Sequence, residues 1–193
     1  MKTSLFSFIL VIFFLIGSPL FSQEKWYGEF RPVLKFPVSD EEIKTGFGFN
    51  LAGGYNFTPH LGAYAGWGWT QFKSQKNIFN AQNTYDVEET GYTFGLQFLH
   101  PFSNESRLSY FIRLGGIYNH IEVEDSGGNI SADSGHGMGW EAGAGVEMGI
   151  GMSWYLKPQV GYSSLTRTIE LGGISRDFDL NNLSLGVGLV KKF

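Results

Sequence analysis

The sequence of 193 residues contains no cysteine. Disulfide bonds therefore cannot stabilise this chain, although small exported domains commonly depend on them. A lipid anchor attached through a processed cysteine is excluded for the same reason. The fold must be held together by packing, by hydrogen bonds and by its solvent.

Charged residues are also scarce, because Asp, Glu, Lys and Arg make up 17% of the chain against about 25% in an average soluble domain. The formal net charge is −4, and the sequence has no cluster of lysine and arginine. Proteins that bind nucleic acid need such a basic surface to neutralise phosphates. We therefore expect no nucleic-acid partner.

A long hydrophobic run occurs only at the N-terminus. Residues 5–17 (LFSFILVIFFLIG) follow Lys2 and precede a small residue, Ser22. This run is shorter than the ~20 residues that a membrane-spanning helix needs. The pattern predicts a secretory signal peptide at residues 1–22 and one domain at residues 23–193, with an uncleaved membrane anchor as the alternative.

Glycine and aromatic residues, in contrast, are abundant, with 27 glycines and 17% aromatic side chains. The clearest pattern is in residues 137–150 (GMGWEAGAGVEMGI), where every second residue is apolar and the others are glycine or glutamate. A period of two residues is typical of a β-strand whose two faces meet different surroundings.

Eight segments of this kind follow one another, at residues 26–36, 46–57, 61–72, 90–99, 107–121, 137–150, 153–165 and 180–193. The connections after the odd segments are long, at 37–45, 73–89, 122–136 and 166–179. Those after the even segments are shorter, at 58–60, 100–106 and 151–152. This alternation predicts an all-β fold, an eight-stranded antiparallel up-and-down β-barrel. We find no helical periodicity after the signal peptide.

The composition of the two faces indicates which one lies inside. One face is mostly Gly, Ser, Asn and Ala, small residues that suit the narrow interior of an eight-stranded barrel. The apolar face carries a single charge, Lys191, and its aromatic residues gather toward both ends of the segments, like the interfacial girdles of membrane barrels. We therefore predict a transmembrane barrel with the apolar face in lipid. A soluble lipocalin-like ligand-binding barrel is an alternative.

These features, with a final segment LSLGVGLVKKF that ends on Phe193, resemble the small outer-membrane barrels of the OmpA transmembrane-domain/OmpX type. The resemblance implies a location in the cell outer membrane, with both mature termini in the periplasm and the long loops outside the cell. It also implies contact with outer-membrane lipid and recognition of Phe193, as a C-terminal assembly signal, by the barrel assembly machinery. It brings no catalytic residue and no cofactor, and we expect a monomer.

Charged residues on the inward face are the candidate site. Since an unpaired buried charge is costly, we predict a structural network that closes the lumen, with Glu147 near both Arg113 and Lys157. A gated pore or a proton path is the alternative, although side chains that fill eight strands leave no open channel. The predicted members are Glu29, Arg31, Lys35, Arg113, Glu141, Glu147, Lys157 and Lys192.

The sequence also contains candidate residues for two other kinds of site. His120 and the sequence Asp133-Ser134-Gly135-His136 are compatible with a lipid A deacylase or acyltransferase, in which a histidine activates a serine. The H-x-S-N pattern of the deacylases is missing, and we predict a protein that is not an enzyme.

The long connections hold 13 of the 18 acidic residues. They predict a structural or adhesive role through contact with a surface ligand of unknown identity. No EF-hand spacing occurs, so no metal site is predicted.

Overall fold

A computed structural model describes residues 24–38, 43–74, 86–103, 107–124, 129–171 and 174–193. The predicted signal peptide lies outside the described residues. The described residues form eleven β-strands: β1 (Trp26–Pro37), β2 (Ile43–Asn56), β3 (Leu61–Ser74), β4 (Asp86–Pro101), β5 (Leu108–Glu124), β6 (Ile130–Asp133), β7 (Gly137–Gly151), β8 (Trp154–Ser164), β9 (Thr166–Leu171), β10 (Ile174–Asp179) and β11 (Asn182–Lys192). Within these ranges no helix has the length and apolar character needed to cross a membrane.

Eight of the strands form a closed antiparallel barrel. Each pairs with its neighbours in the order β1, β2, β3, β4, β5, β7, β8 and β11, and β11 pairs with β1 to close the ring. The register at the closure runs from Tyr27 opposite Lys192 to Pro37 opposite Asn182. The predicted eight-stranded up-and-down barrel is confirmed, and closure removes every free strand edge from the ring.

Two of the predicted long connections contain strands of their own, so their description as loops was wrong. In the third connection β5 continues to Glu124, and β6 folds back to pair with it. In the fourth, β9 and β10 form a separate two-stranded hairpin. β4 begins at Asp86, four residues before the predicted start, because Val87 lies opposite Val123 and extends the pairing. Acidic residues interrupt the alternation of apolar and polar side chains in these stretches, so the sequence did not indicate strands there.

The barrel has two different ends. The turn between β7 and β8 consists of Met152 and Ser153, which both have positive φ angles, of 44° and 62°. This is the geometry of a two-residue type I′ hairpin, whose twist matches that of the flanking strands. We call the end with this turn the short-turn end. The other end, which carries β6 and the β9–β10 hairpin, is the long-loop end.

The middle of the barrel is polar inside and apolar outside. On β5, Ile112 and Leu114 are 54% and 62% exposed, whereas Arg113 between them is 4% exposed. The same alternation on β1 leaves Phe30 and Leu34 outside and buries Glu29 and Arg31. A continuous exposed apolar surface of this extent is typical of a protein surrounded by lipid.

The polarity reverses at the long-loop end. Beyond Tyr118 on β5, Ile121 and Val123 point inward and are almost fully buried, while Glu122 points outward. β4 and β5 are 16 and 17 residues long, against the ~9–11 that cross a bilayer. This end therefore has the interior of a water-soluble protein. We call its buried residues the apolar cap: Ile43, Phe72, Val87, Ile117, Ile121, Val123, Ala132, Leu165 and Leu180.

Candidate functional site

Glu29 is the centre of the charged interior. Arg113 lies on β5, four strands away from β1 in either direction around the ring, and so on the opposite wall. Its Nη1 donates to Glu29 Oε1 at 3.1 Å, and its Nη2 donates to Glu29 Oε2. Arg31 Nη1 also donates to Oε1, at 3.3 Å, and Lys157 Nζ lies 3.8 Å from Oε2. One carboxylate therefore faces three cations from three strands.

Glu147 forms a second centre closer to the short-turn end. Lys192 Nζ donates to Glu147 Oε1 at 2.6 Å, and Lys157 Nζ lies 3.7 Å from Oε2. The predicted proximity of Glu147 to Arg113 was wrong, because the register of β5 with β7 places Arg113 opposite Gly143 and Glu147 opposite Ser109. Lys157 thus connects the two centres.

Gln97 joins the same network without a charge of its own. Its Oε1 accepts hydrogen bonds from Arg113 Nε, at 2.9 Å, and from Lys157 Nζ. Gln97 is buried, and as a neutral residue it was not among the predicted members of the network. It lies opposite Arg113 in the β4–β5 register, which explains how a neutral amide satisfies both cations.

Lys35, a predicted member of the network, lies in a different cluster nearer the apolar cap. Its Nζ donates to Glu89 Oε2 at 2.7 Å, and Asn119 Nδ2 donates to Glu89 Oε1 at 2.9 Å. Sequence reasoning missed Glu89, which it assigned to an exposed acidic loop. Glu89 follows Glu88 in a polar stretch, and nothing in the sequence indicates that its side chain points inward. Its direction follows only from the start of β4 at Asp86.

Arg167 connects this cluster to the β9–β10 hairpin. Its guanidinium donates to the side chain of Asn119 and to the backbone oxygens of Gly137 and Met138, the latter at 3.0 Å. Burial lowers the pKa of Arg167 from its ordinary value, and the nearby Glu89 carboxylate opposes that shift. The side chain remains a cation, since a guanidinium is not deprotonated in proteins.

Glu141, another predicted member, has a hydroxyl partner. Tyr64 donates its OH to Glu141 Oε1 at 2.7 Å, and the Arg113 guanidinium lies 5.0 Å from the centre of the Tyr64 ring. A polar cavity beside these residues has a water-accessible volume of about 50 Å³, which is room for a few water molecules. The cavity is lined by members of two clusters, Arg31 and Arg113 together with Lys35 and Glu89.

The outer surface of the long-loop end brings together the residues considered for catalysis. Asp133 Oδ1 lies 3.4 Å from His120 Nδ1, and the His136 ring stacks on the His120 ring with centres 4.5 Å apart. Ser134 Oγ, however, accepts a hydrogen bond from the Ile121 N–H and donates to the Gly135 carbonyl. Its proton is directed at a backbone oxygen and not at an imidazole.

Backbone and cation–π contacts join the strand ends at the short-turn end. The Phe193 N–H donates to the Trp26 carbonyl at 2.8 Å, which places the last residue beside the first strand. Lys191, the charge on the apolar face, donates to the Met152 carbonyl at 2.8 Å and lies over the Trp154 ring. Its ammonium thus reaches the rim of the barrel, as snorkelling requires. The role of Phe193 in assembly stays a prediction.

Comparison with protein families identifies the fold class of this barrel. The model of the family described as outer membrane protein beta-barrel domain matches residues 21–190. The chain belongs to this family. Membership confirms the predicted resemblance to small outer-membrane barrels and the location in the outer membrane that it implied. No curated protein sequence matches the chain.

Solved structures of outer membrane proteins are similar to this family member over most of their length. Neisserial surface protein A is 17% identical, with 87% of this chain and 97% of that chain covered and a TM-score of 0.61. OprG from Pseudomonas aeruginosa is 12% identical, with coverages of 88% and 96% and a TM-score of 0.59. AlkL, determined in lipid bilayers, is 14% identical, with coverages of 91% and 93% and a TM-score of 0.51. At these identities the likeness concerns the fold.

Proposed function

We propose that this protein is a non-enzymatic, closed outer-membrane barrel whose long-loop end lies outside the cell and has a structural or surface-interaction role. The observation that carries the proposal is the change of polarity along β5. In the section of the barrel with the charged interior, the outward-facing residue Leu114 is apolar and exposed. In the section with the apolar cap, the outward-facing residue Glu122 is charged. A barrel of this design spans lipid with one section and holds the other rigidly in water.

The proposed closure of the lumen is supported by two layers of side chains. The charges around Glu29 and Glu147 are paired across the interior, and the apolar cap lies above them. Purified protein in a planar lipid bilayer should then give no stepwise ion conductance. Steady single-channel currents from the wild-type protein would contradict closure and favour the pore alternative.

The proposed orientation can be tested with single cysteines, because the natural chain has none. Ser131, on β6, and Ser103, in the turn after β4, are both exposed, at opposite ends of the barrel. A membrane-impermeant maleimide should label Ser131→Cys on intact cells and Ser103→Cys only after the outer membrane is permeabilised. The reverse pattern would place the short-turn end and both mature termini outside the cell.

The acidic outer surface of the long-loop end supports the surface-interaction part of the proposal. Glu88 lies opposite Glu122, and Asp86 lies opposite Glu124, so two neighbouring strands present carboxylates together. Such a surface attracts cationic groups at low ionic strength. Cells that display the protein should adhere to a polycationic surface more than cells that display the Glu88→Gln/Glu122→Gln variant. Equal adhesion would contradict a role for this charge.

A lipid A-modifying enzyme is the second candidate, because His120 lies beside Asp133 at the long-loop end, as a general base lies beside the carboxylate that orients it. The hydrogen bonds of Ser134 argue against it, because a nucleophile must donate its proton to a base. Incubation with labelled lipid A decides between the two. Deacylation or acyl transfer that disappears in His120→Ala or His136→Ala would overturn the non-enzymatic proposal.

A further inference from the structure

We propose that His120, Glu122 and Asp133 form a binding site for a single Zn²⁺ ion on the outer surface of the long-loop end, with His136 able to join them. His120 and Glu122 are two positions apart on β5 and share its outer face. β6 folds back so that Asp133 lies directly opposite Glu122. His120 Nδ1 is 3.7 Å from Glu122 Oε1 and 3.4 Å from Asp133 Oδ1.

These distances match the edges of a metal coordination shell. Zinc binds nitrogen and oxygen ligands at about 2.0–2.2 Å, so two ligand atoms in a tetrahedral site lie about 3.4 Å apart. The ligand atoms of His120, Glu122 and Asp133 all lie within 4.8 Å of one another. Only small side-chain movements are needed for all three to reach one ion. A site with three protein ligands leaves a fourth position for water.

A fourth protein ligand is close by. The His136 and His120 rings are parallel to within 8°, with centres 4.5 Å apart. His136 is exposed and lies one residue after Gly135, whose φ of +65° turns the chain beyond β6. Rotation of the His136 side chain away from this stack would direct a second imidazole toward the same ion. Imidazole with carboxylate favours Zn²⁺ over Ca²⁺ and Mg²⁺, which prefer sites made of oxygen alone.

The charge around Glu122 gives an independent reason for a cation here. Glu122 lies opposite Glu88 on β4 and opposite Asp133 on β6, so three carboxylates stand side by side on three neighbouring strands. Like charges directly opposite each other destabilise a sheet. A bound divalent ion removes this repulsion and ties β6 to β5, which otherwise pair at three positions.

A hydrogen bond orients the Asp133 carboxylate before any ion binds, because the Gly135 N–H donates to Asp133 Oδ1 at 2.8 Å. Another, from Thr90 Oγ1 to Glu88 Oε1 at 3.1 Å, holds the neighbouring carboxylate that lies opposite Glu122. Partners of this kind fix the direction of metal ligands in known sites and commonly change affinity by about 10–100-fold when removed. The sequence does not reveal the site, because Asp133 meets Glu122 only through the fold-back of β6.

Titration of the folded, metal-free protein in detergent micelles with Zn²⁺ alone tests the proposal. Isothermal calorimetry should show one ion per chain, and Co²⁺ should give the visible absorption of a site with nitrogen ligands. Glu122→Gln, Asp133→Asn and His120→Ala should each weaken Zn²⁺ binding by at least about tenfold. All of these side chains point outward, and a heat-modifiable gel shift shows whether each variant is folded.

His60→Ala is the matched control, because His60 is exposed at the short-turn end and also stacks on another histidine, His100, at 4.8 Å. Its affinity should equal that of the wild type. Three results with Zn²⁺ would overturn the proposal. They are no binding at 100-fold excess of Zn²⁺ over protein, equal binding by Glu122→Gln and Asp133→Asn, and binding that His60→Ala removes. Ca²⁺ binding as tight as that of Zn²⁺ and insensitive to His120→Ala would likewise contradict it.

Discussion

Arg113 and Glu29 are joined across the full width of the barrel interior. Two nitrogens of the guanidinium donate to the two oxygens of the carboxylate, although the residues are 84 positions apart in the sequence and lie on opposite walls. A paired, two-point contact of this kind is the strongest form of side-chain ion pair. It links the two walls of the barrel directly, since β1 and β5 lie opposite each other in the ring.

Loss of the Glu29 carboxylate should therefore be severe. Glu29→Ala leaves Arg31, Arg113 and Lys157 with fewer acceptors in a buried position, and breaking a buried pair in this way costs about 3–5 kcal/mol. Urea unfolding of the refolded protein in detergent micelles, followed by tryptophan fluorescence, measures the change. Glu24→Ala is the control, because Glu24 is an exposed carboxylate that bonds only at the short-turn end.

A double variant separates the pair from the rest of the network. Glu29→Gln combined with Arg113→Met removes both charges, so it should destabilise the barrel less than the two single changes added together. Additive effects would show that Glu29 and Arg113 do not depend on each other.

Gly145→Ala should also destabilise the barrel, for a steric reason. A methyl group at Gly145 would overlap the Pro158 carbonyl oxygen and lie 2.9 Å from the Phe111 ring. Overpacking of this kind costs about 1–3 kcal/mol. Gly28→Ala is the control, because nothing lies within 4 Å of its new methyl group. Equal stability of both variants in the same urea titration would contradict the account of a narrow interior.

Phe72→Ala should loosen the long-loop end without opening the membrane section. Phe72 is completely buried in the apolar cap, and removal of such a ring costs about 3–5 kcal/mol of local stability. Hydrogen exchange followed by mass spectrometry should accelerate in residues 117–124 and 86–90, while the heat-modifiable gel shift persists. Phe47→Ala, at a residue that is 59% exposed, is expected to leave exchange at the cap unchanged.

Arg167→Ala should release the β9–β10 hairpin from the barrel wall. The change removes hydrogen bonds to the side chain of Asn119 and to the backbone oxygens of Asn119, Gly137 and Met138, which together are worth about 2 kcal/mol or more. Limited proteolysis should then cut within residues 166–179 faster than in the wild type. Thr168→Ala provides the comparison, because it removes a side-chain hydrogen bond within the hairpin, to Asp177, and leaves the contacts of Arg167 with the barrel wall in place. Unchanged cleavage in Arg167→Ala would show that the hairpin is held by other contacts.

The membrane section of the barrel could be predicted from the sequence because the alternation of apolar and polar residues that indicates it lies within each single strand. Alternation such as Ile112-Arg113-Leu114 shows which residues of a strand face outward and which face the interior. This assignment needs no knowledge of the neighbouring strands. Six of the predicted inward charges meet in one network around Glu29 and Glu147. Lys35 and Glu141 have other partners, Glu89 and Tyr64.

The pairing partners and the apolar cap could not be predicted, since both depend on how distant strands meet. Arg113 pairs with Glu29 and not with Glu147 because the closed ring places β1 opposite β5. Glu89 and Arg167 lie in stretches whose acidic and polar composition is typical of loops. Their inward direction follows from strand extensions that are stabilised only when Phe72, Val87 and Ile121 pack together at the long-loop end.

The change of surroundings along the outer face of β5 is the most direct test of this account. Nitroxide spin labels at Leu114→Cys and Glu122→Cys, in protein reconstituted into lipid bilayers, report access to oxygen and to a water-soluble nickel chelate. We predict that the label at Leu114 meets oxygen and excludes the chelate, whereas the label at Glu122 meets the chelate. Equal access of the chelate at both positions would contradict a barrel that spans lipid with one section and holds the other in water.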